Sequence, residues 1–356
     1  MARYIGIDLH RNRFTVCMIA ENGRKYRKTV EMKFLDNFAK SLRSDDELAV
    51  EMTTNTRLFK GVVENFVGRV VVVDSSKFKV ISESTKKTDK NDAENLAFFL
   101  SKDMLPELRM KDVGRERLHS LCQSKDTLTK QRTQLKNKIN NSLASIGILL
   151  KREELSSDKA LDRVLALELD PVTRVEMEVI VEQIHSLNRG IAKLKKEIVR
   201  EGEKYEEHKI ISSIKGIGPV GASLLLSIIG DVNDFANEKK LASYFGLVPR
   251  VSNSNDTQHS GRITKRGSKL GRTTLVQCGL IAKRYSPYLL AFHERIKKRR
   301  GGGKANIALA KKLVGIVYEA LRNRWVFTDF TKFEYCGIAS GVTHWGSAPD
   351  PEIYKA

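Results

Sequence analysis

Asp8 in YIGIDLH, Glu51 in ELAVEM, and Asp89 with Asp92 in KTDKNDAENLA are four carboxylates near the start of a 356-residue chain with a formal net charge of +20. Gathered at one point, four carboxylates repel one another unless cations neutralise them. All-oxygen ligation suits Mg²⁺ or Mn²⁺, and two such ions about 4 Å apart can activate an attacking oxygen and stabilise a leaving one at a phosphodiester. In so basic a protein the expected substrate is a polyanion, DNA first. Taken singly the acids are ordinary: an Asp at a strand end is commonly a cap or turn residue, and Asp89 and Asp92 would suit any helix N-terminus. Their order and spacing make the argument.

The elements that must position them can be read from pattern. YIGID is a short apolar strand, and RFTVCMIAENG and KYRKTVEM are two more joined by a turn at Asn22-Gly23. Residues 36–43 have helical spacing, ELAVEM is a fourth strand with Glu51 near its end, residues 56–66 suit a second helix, and GRVVVVD is a fifth strand. Three strands followed by alternating helices and strands is the plan of an α/β ribonuclease-H-like domain, in which carboxylates gather at strand ends. Asp89 and Asp92, three apart at the start of the next helix, project from one face.

Composition bounds the rest. With 41% hydrophobic and 30% charged residues the chain buries a good core and is expected to hold two or three units. No apolar run reaches the roughly 18 residues of a membrane span, the N-terminus reads as a strand and not as a signal peptide, and no membrane partner is expected. Cys17, Cys122, Cys278 and Cys336 are too scattered for a zinc motif or disulfide framework and read as reduced thiols of a cytoplasmic protein. The 63 Lys and Arg against 43 Asp and Glu fit binding to a phosphate backbone.

After Pro106 the pattern turns to long helices. Leu121, Leu128 and Leu135 recur every seven residues, and Ile139, Leu143, Ile146 and Leu150 continue an apolar face. A second amphipathic helix follows Pro171, with Ile180, Ile184, Leu187, Ile191, Leu194 and Ile198 on its apolar face. The two predict an antiparallel coiled-coil hairpin over about 115–206, either a spacer or a protomer contact. Gly216-Ile217-Gly218-Pro219, between two apolar helical stretches, has the pattern of a helix-hairpin-helix, in which backbone amides hold a phosphate without reading bases; the bland alternative is a plain helix-helix turn. Residues 241–275 then combine a Pro-bounded polar loop carrying Ser252, Ser254 and Ser260 with Arg262, Lys265, Arg266, Lys269, Arg272 and, farther on, Lys283. Spacing alone makes none of these serines a nucleophile. Beyond Gly216 the pattern predicts helices near 237–246, 268–296 and 304–323, with KKRRGGGKANIA as a basic Gly-rich turn at 297–308 that is either solvated or in contact with nucleic acid. The expected domains are a catalytic one at 1–108, the helical hairpin at 109–209, a mostly α C-terminal domain at 210–330, and a tail at 331–356.

GIDLH, AVEMTTNT, KTDKNDA, IKGIGPVGA, YFGLVPR and GRITKRG together resemble the DEDD transposases of insertion sequence family 110, over roughly residues 3–325. That family pairs a RuvC-like N-terminal domain with a C-terminal transposase domain. The resemblance implies a RuvC-like divalent-metal site of Asp8, Glu51, Asp89 and Asp92. It also implies a serine nucleophile forming a phosphoserine link to DNA. Seven residues before Gly261 of GRITKRG stands Ser254. The family often has Gly directly after that serine, where this chain has Asn255, and Leu before the later Arg, where this chain has Gly271 before Arg272; Ser252 and Ser260 stay candidates. It further implies donor and target DNA specified by a structured guide RNA, a homo-oligomer (dimer or tetramer), and assembly of the full site by domain docking, within or between protomers.

Two other classes compete. A junction-resolving nuclease would use the same acids with water as nucleophile and form no adduct. A sugar-kinase or actin-like ATPase also opens with a strand such as GIDLH and a hairpin, but needs a second Gly-rich phosphate loop in an α/β half, where this chain is helical and basic.

Overall fold

The computed structural model describes residues 3–74, 88–254 and 257–327; the tail expected from residue 331 lies outside the described residues, as do the side chains of Arg152 and of residues 251–260. The chain divides into two compact units, Met1–Met110 and Lys111–Ala356.

In the first unit, β1 (Arg3–Leu9), β2 (Arg13–Ala20) and β3 (Lys25–Glu31) form the predicted antiparallel meander. Gly23, at φ 77°, closes the β2–β3 turn by donating its N–H to the Ala20 carbonyl. Then come α1 (Leu35–Lys40), β4 (Glu47–Glu51), α2 (Thr56–Val63), β5 (Arg69–Val73) and α3 (Asp89–Leu100). The sheet order is β3-β2-β1-β4-β5, with β4 parallel to both β1 and β5.

The period of two along the strands sorts the side chains. Ile5, Ile7, Leu9, Leu48 and Val50 join Phe14, Phe38 and Phe59 in one buried cluster, the three rings packing with centroids 5.1–6.3 Å apart. Ala49, Val71 and Val73 point the other way, to Leu96 and Leu100 of α3. Gly6, Asp8 and Glu51 have the parity of that second face. The pattern that builds the hydrophobic layer therefore also aims two acids toward α3.

The second unit is mostly helical. α4 (Val113–Ser145) and α6 (Pro171–Gly202) are the expected hairpin. Arg132 donates to Asn188 at 2.9 Å and Lys138 pairs with Glu176 at 2.8 Å, which makes the two helices antiparallel. At the far end α5 (Asp158–Leu165) inserts Leu161 and Val164 against Ile139, Leu143, Met177 and Ile184. Ile146, read as part of the apolar face, is half exposed because α4 ends at Ser145 and Gly147 turns the chain at φ 84°.

The expected domain boundary near 209 is not a boundary of packing. Leu118 and Cys122 of α4 and Ile198 of α6 share one core with Ile210, Ile211, Leu225 and Leu313, so the root of the hairpin and the C-terminal helices form a single unit. α7 (Glu206–Ser213), α8 (Pro219–Ile229) and α9 (Glu238–Tyr244) follow.

Three further expectations are corrected. The polar loop after Pro249 is an antiparallel ribbon, β6 (Pro249–Ser254) with β7 (Thr257–Ile263). Its strands carry no alternating apolar face, so the period-two signal was absent. The single helix expected at 268–296 is two, α10 (Lys269–Ala282) and α11 (Pro287–Arg300): Ser286 caps the second by accepting from the Leu289 N–H, and Pro287 has no N–H to continue the first. The Gly-rich turn expected at 297–308 shrinks to Gly301, because α11 runs through Arg300 and α12 (Gly302–Asn323) begins at once.

Candidate metal centre

Each acid is placed by a local reason. β1 and β4 are parallel with Ile7 opposite Val50, and one step farther along this register stand Asp8 and Glu51. Across β1 the partner of Asp8 is Thr15 of β2. Helix α3 starts where Thr88, in extended conformation, accepts the Asn91 N–H, which puts Asp89 and Asp92 in the first turn. α3 can lie directly on β1 because Gly6 has no side chain. A Cβ there would sit 2.0 Å from the Ala93 carbonyl oxygen and 2.5 Å from the Ala97 nitrogen. Ala93 and Ala97 supply the matching small surface.

Asp8 is 8% exposed and Asp92 7%, whereas the Asp89 side chain is 42% exposed. Burial pushes the Asp8 carboxyl up to about 6, and the charges of Asp89, Asp92 and Glu51 add to the rise while His10 opposes it. Asp8 therefore lies within electrostatic reach of the other three acids.

His10 was not foreseen. Its Nε2 lies 3.2 Å from Asp8 Oδ2 and 3.2 Å from Asp89 Oδ2, and Asp8, His10 and Asp89 are the one group among the described residues whose ligand atoms lie close enough to share an ion. Its signal was visible in hindsight: two residues past Asp8, at the mouth of the β1–β2 turn. Asn55 and Thr56, in the quoted AVEMTTNT, also have roles that spacing did not reveal. Asn55 Nδ2 donates to the carbonyls of His10 and Arg11, pinning that turn. The buried Thr56 hydroxyl donates to the Glu51 carbonyl at 2.7 Å, fixing the end of β4. Arg13 approaches Asp89 at 3.5 Å from the same side. An oxygen-rich cluster of this kind suits a hard divalent cation, and among the described residues Asp8 and Asp89, with His10, are those whose ligand atoms lie close enough together to share one.

The second unit holds the remaining sequence-predicted residues. Gly216, at φ 101°, turns between α7 and α8, and a Cβ on it would come within 2.6 Å of the Ala282 nitrogen, so this glycine is needed for packing as well as for the turn. Gly218 has open space around it and caps α8 without a side-chain hydrogen bond; a cleft lined by Lys195, Lys196, Arg200, Glu203 and Val220 lies between α6 and the start of α8. Ser252 and Ser254 belong to β6 and Ser260 to β7 by backbone, with Ser254 paired to Thr257 at the ribbon's tip, and their side chains lie outside the described residues. Arg262, Lys265, Arg266 and Lys269 are exposed.

Arg272 differs from them. Its Nη1 donates to the carbonyls of Phe245, Arg266 and Gly267 at 3.0–3.3 Å, and burial holds its guanidinium below the usual value. It braces the loop that carries its exposed neighbours. Lys283 likewise turns inward, to His293 Nδ1 at 3.2 Å.

Carboxylates gathered at the strand ends of a mixed α/β sheet, followed by a basic and mostly helical unit, define an enzyme of the kind that works on nucleic acid with a divalent metal. Two family models match the chain, a DEDD-type IS110 transposase model over residues 5–148 and the IS116/IS110/IS902 transposase model over residues 208–294. The chain belongs to the IS110 family of transposases. It is 27% identical, over 67% of both chains, to the transposase for insertion sequence element IS1111A of Coxiella burnetii. It is 24% identical to the transposase for IS1328 of Yersinia enterocolitica, over 91% of this chain and 98% of that one. A pilin gene-inverting protein of Moraxella bovis is 26% identical over 91% of this chain and 97% of its own length. No helix among the described residues is long and apolar enough to cross a membrane.

Proposed function

We propose that this transposase cuts and exchanges DNA strands through a RuvC-like, ribonuclease-H-type metal site of Asp8, Glu51, Asp89 and Asp92 and a serine nucleophile, Ser254. The observation that supports the reading is that Asp8 and Glu51 stand at adjacent strand ends with the parity of the face that packs on α3, whose first turn carries Asp89 and Asp92; Asp8, raised to about 6 chiefly by burial, also feels the charges of the other three. Bound Mg²⁺ or Mn²⁺ would polarise the scissile phosphate and stabilise the leaving oxygen. Asp8 and Asp92 are held in place by packing, while Asn55 pins the turn after β1 and Thr56 the end of β4.

In the chemical step the Ser254 oxygen forms a bond to phosphorus as the bond from phosphorus to a deoxyribose oxygen breaks. The serine proton is lost, and the departing oxygen gains one. The phosphoserine conserves the energy of the broken phosphodiester, so a new strand can displace the serine without a nucleotide cofactor. The protein works in the cytoplasm as a homo-oligomer, dimer or tetramer, on donor and target DNA selected by a structured guide RNA. The absence of any recognised base-reading motif and the strongly basic balance support that division of labour.

The test is an adduct assay. Protein with its co-purifying RNA and donor-end DNA is run on a denaturing gel with and without Mg²⁺, beside Ser254→Ala. The expected result is a covalent adduct that needs Mg²⁺ and disappears in the variant. Metal-dependent cleavage with no adduct would replace this reading by that of a junction-resolving nuclease using water. An adduct that survives in Ser254→Ala would move the nucleophile to Ser252 or Ser260.

A further inference from the structure

The tip of the α11–α12 hairpin is a basic collar lying beyond both matched family regions. From Lys283 to Tyr318 the chain has ten Lys and Arg and one acid, Glu294. Residues 297–304 are exposed without interruption. Glu294 is occupied with His293 at 3.0 Å and Lys297 at 3.4 Å. Among the described residues no carboxylate pairs with Lys298, Arg299, Arg300 or Lys304.

The ordinary explanation, that cations at a helix C-terminus complement its dipole, covers the end of α11. It fails for Lys304. That residue stands in the first turn of α12, where the dipole disfavours a cation and no acid accompanies it. The glycines point the same way. Gly301 is required by its φ of 81°, but Gly302 and Gly303 lie within the helix, and a Cβ on either would meet nothing within 4 Å. Glycine is the poorest helix former after proline, so two of them with no packing reason weaken the helix for no internal gain. Close approach of an external backbone gives a reason for both. Behind the tip, Lys312 lies over the rings of Tyr288 at 5.2 Å and Phe292 at 5.8 Å, and Arg295 lies over Phe292 at 5.8 Å. These contacts extend the row of cations away from the collar along both helices.

We propose that this tip is a docking site for the sugar-phosphate backbone of duplex DNA, contacted without regard to sequence by Lys297, Lys298, Arg299, Arg300 and Lys304 across the bare backbone of Gly302 and Gly303. It rests on the reading of the chain as an enzyme acting on DNA, and it adds an anchoring surface separate from the metal centre.

Full-length protein is titrated with a random-sequence DNA duplex, and with an RNA duplex of equal length, over a series of salt concentrations. Lys298→Gln/Arg299→Gln/Arg300→Gln/Lys304→Gln should weaken DNA binding about tenfold or more near physiological salt and lower the slope of log K against log salt by about 3. Gly302→Ala/Gly303→Ala should also weaken DNA binding, while its melting temperature stays equal or rises because alanine favours the helix. That second variant separates lost docking from lost folding. Wild-type affinity in both variants, with a wild-type slope in the four-cation variant, would overturn this inference alone. Loss confined to the RNA duplex would overturn the assignment to DNA. A wild-type protein with no affinity for duplex DNA would overturn the proposed function and this site with it.

Discussion

The two units treat charge in opposite ways. In the first, Asp8 and Asp92 are buried against one another's fields, and Gly6, Ala93 and Ala97 hold them there by backbone contact. In the second, Arg262, Lys265 and Arg266 stand exposed on a ribbon and its following loop, with Lys269 exposed at the start of α10, and Arg272 braces the loop from beneath. A small cation demands ligands placed to a few tenths of an ångström, which only a packed layer provides. A long polyanion is held by the sum of many screened, adjustable contacts, which suits side chains in water. Burial fixes the acids in the first unit, and exposure leaves the cations of the second adjustable.

The largest expected break of this contrast is Asp92→Ala, which should abolish strand exchange, a fall on the order of a thousandfold or more, while nucleic-acid binding stays near wild type. Recombination assays with a parallel binding titration check it; retained recombination would remove the metal-site argument. Next is Gly6→Val. Forcing a side chain into the Ala93 and Ala97 backbone should destabilise the first unit by about 1–3 kcal/mol or more and cut metal-dependent cleavage even where the protein still folds, because α3 carries two of the acids. Denaturant unfolding and cleavage rates would show both losses, and wild-type values in both would refute the packing argument.

A third prediction concerns pH. The Asp8 carboxyl sits at about 6 in the fold, above the roughly 3.9 of an unfolded aspartate, so the folded state holds the extra proton between those values. Without divalent metal, stability should therefore fall as pH rises through that window. Mg²⁺ or Mn²⁺ binds the ionised form, so its stabilising shift in melting temperature should be larger near pH 8 than near pH 5. Equal shifts would mean that the cation does not engage Asp8. The smallest effect sharpens the other side of the contrast. Arg272→Ala should cost about 1–3 kcal/mol of stability, since three carbonyls lose their donor, and leave the salt dependence of DNA binding unchanged. Arg266→Gln should do the reverse, with stability unchanged and the salt slope lower by about one.

Sequence pattern was enough for the five strands, their order along the chain, the turn at Gly23 and the placement of Asp89 and Asp92 at a helix start, because strand and helix periods and caps are local properties. It was also enough for the long antiparallel hairpin. It failed where the signal was backbone pairing without an apolar face, at β6 and β7, and where one proline and one glycine set the breaks around α11.

The sequence alone determined which residue types were present for the chemistry: four carboxylates at the right spacing, an excess of cations, and the family motifs that contain them. Only the tertiary structure decided that His10 joins Asp8 and Asp89, that Asn55 and Thr56 hold the strand ends, that Gly6 is the contact letting α3 reach β1, and that Arg272 braces a loop while its neighbours face water. Spacing along a chain reports neighbours within one element, whereas these roles depend on distances between elements far apart in sequence, and those are set by how the layers pack.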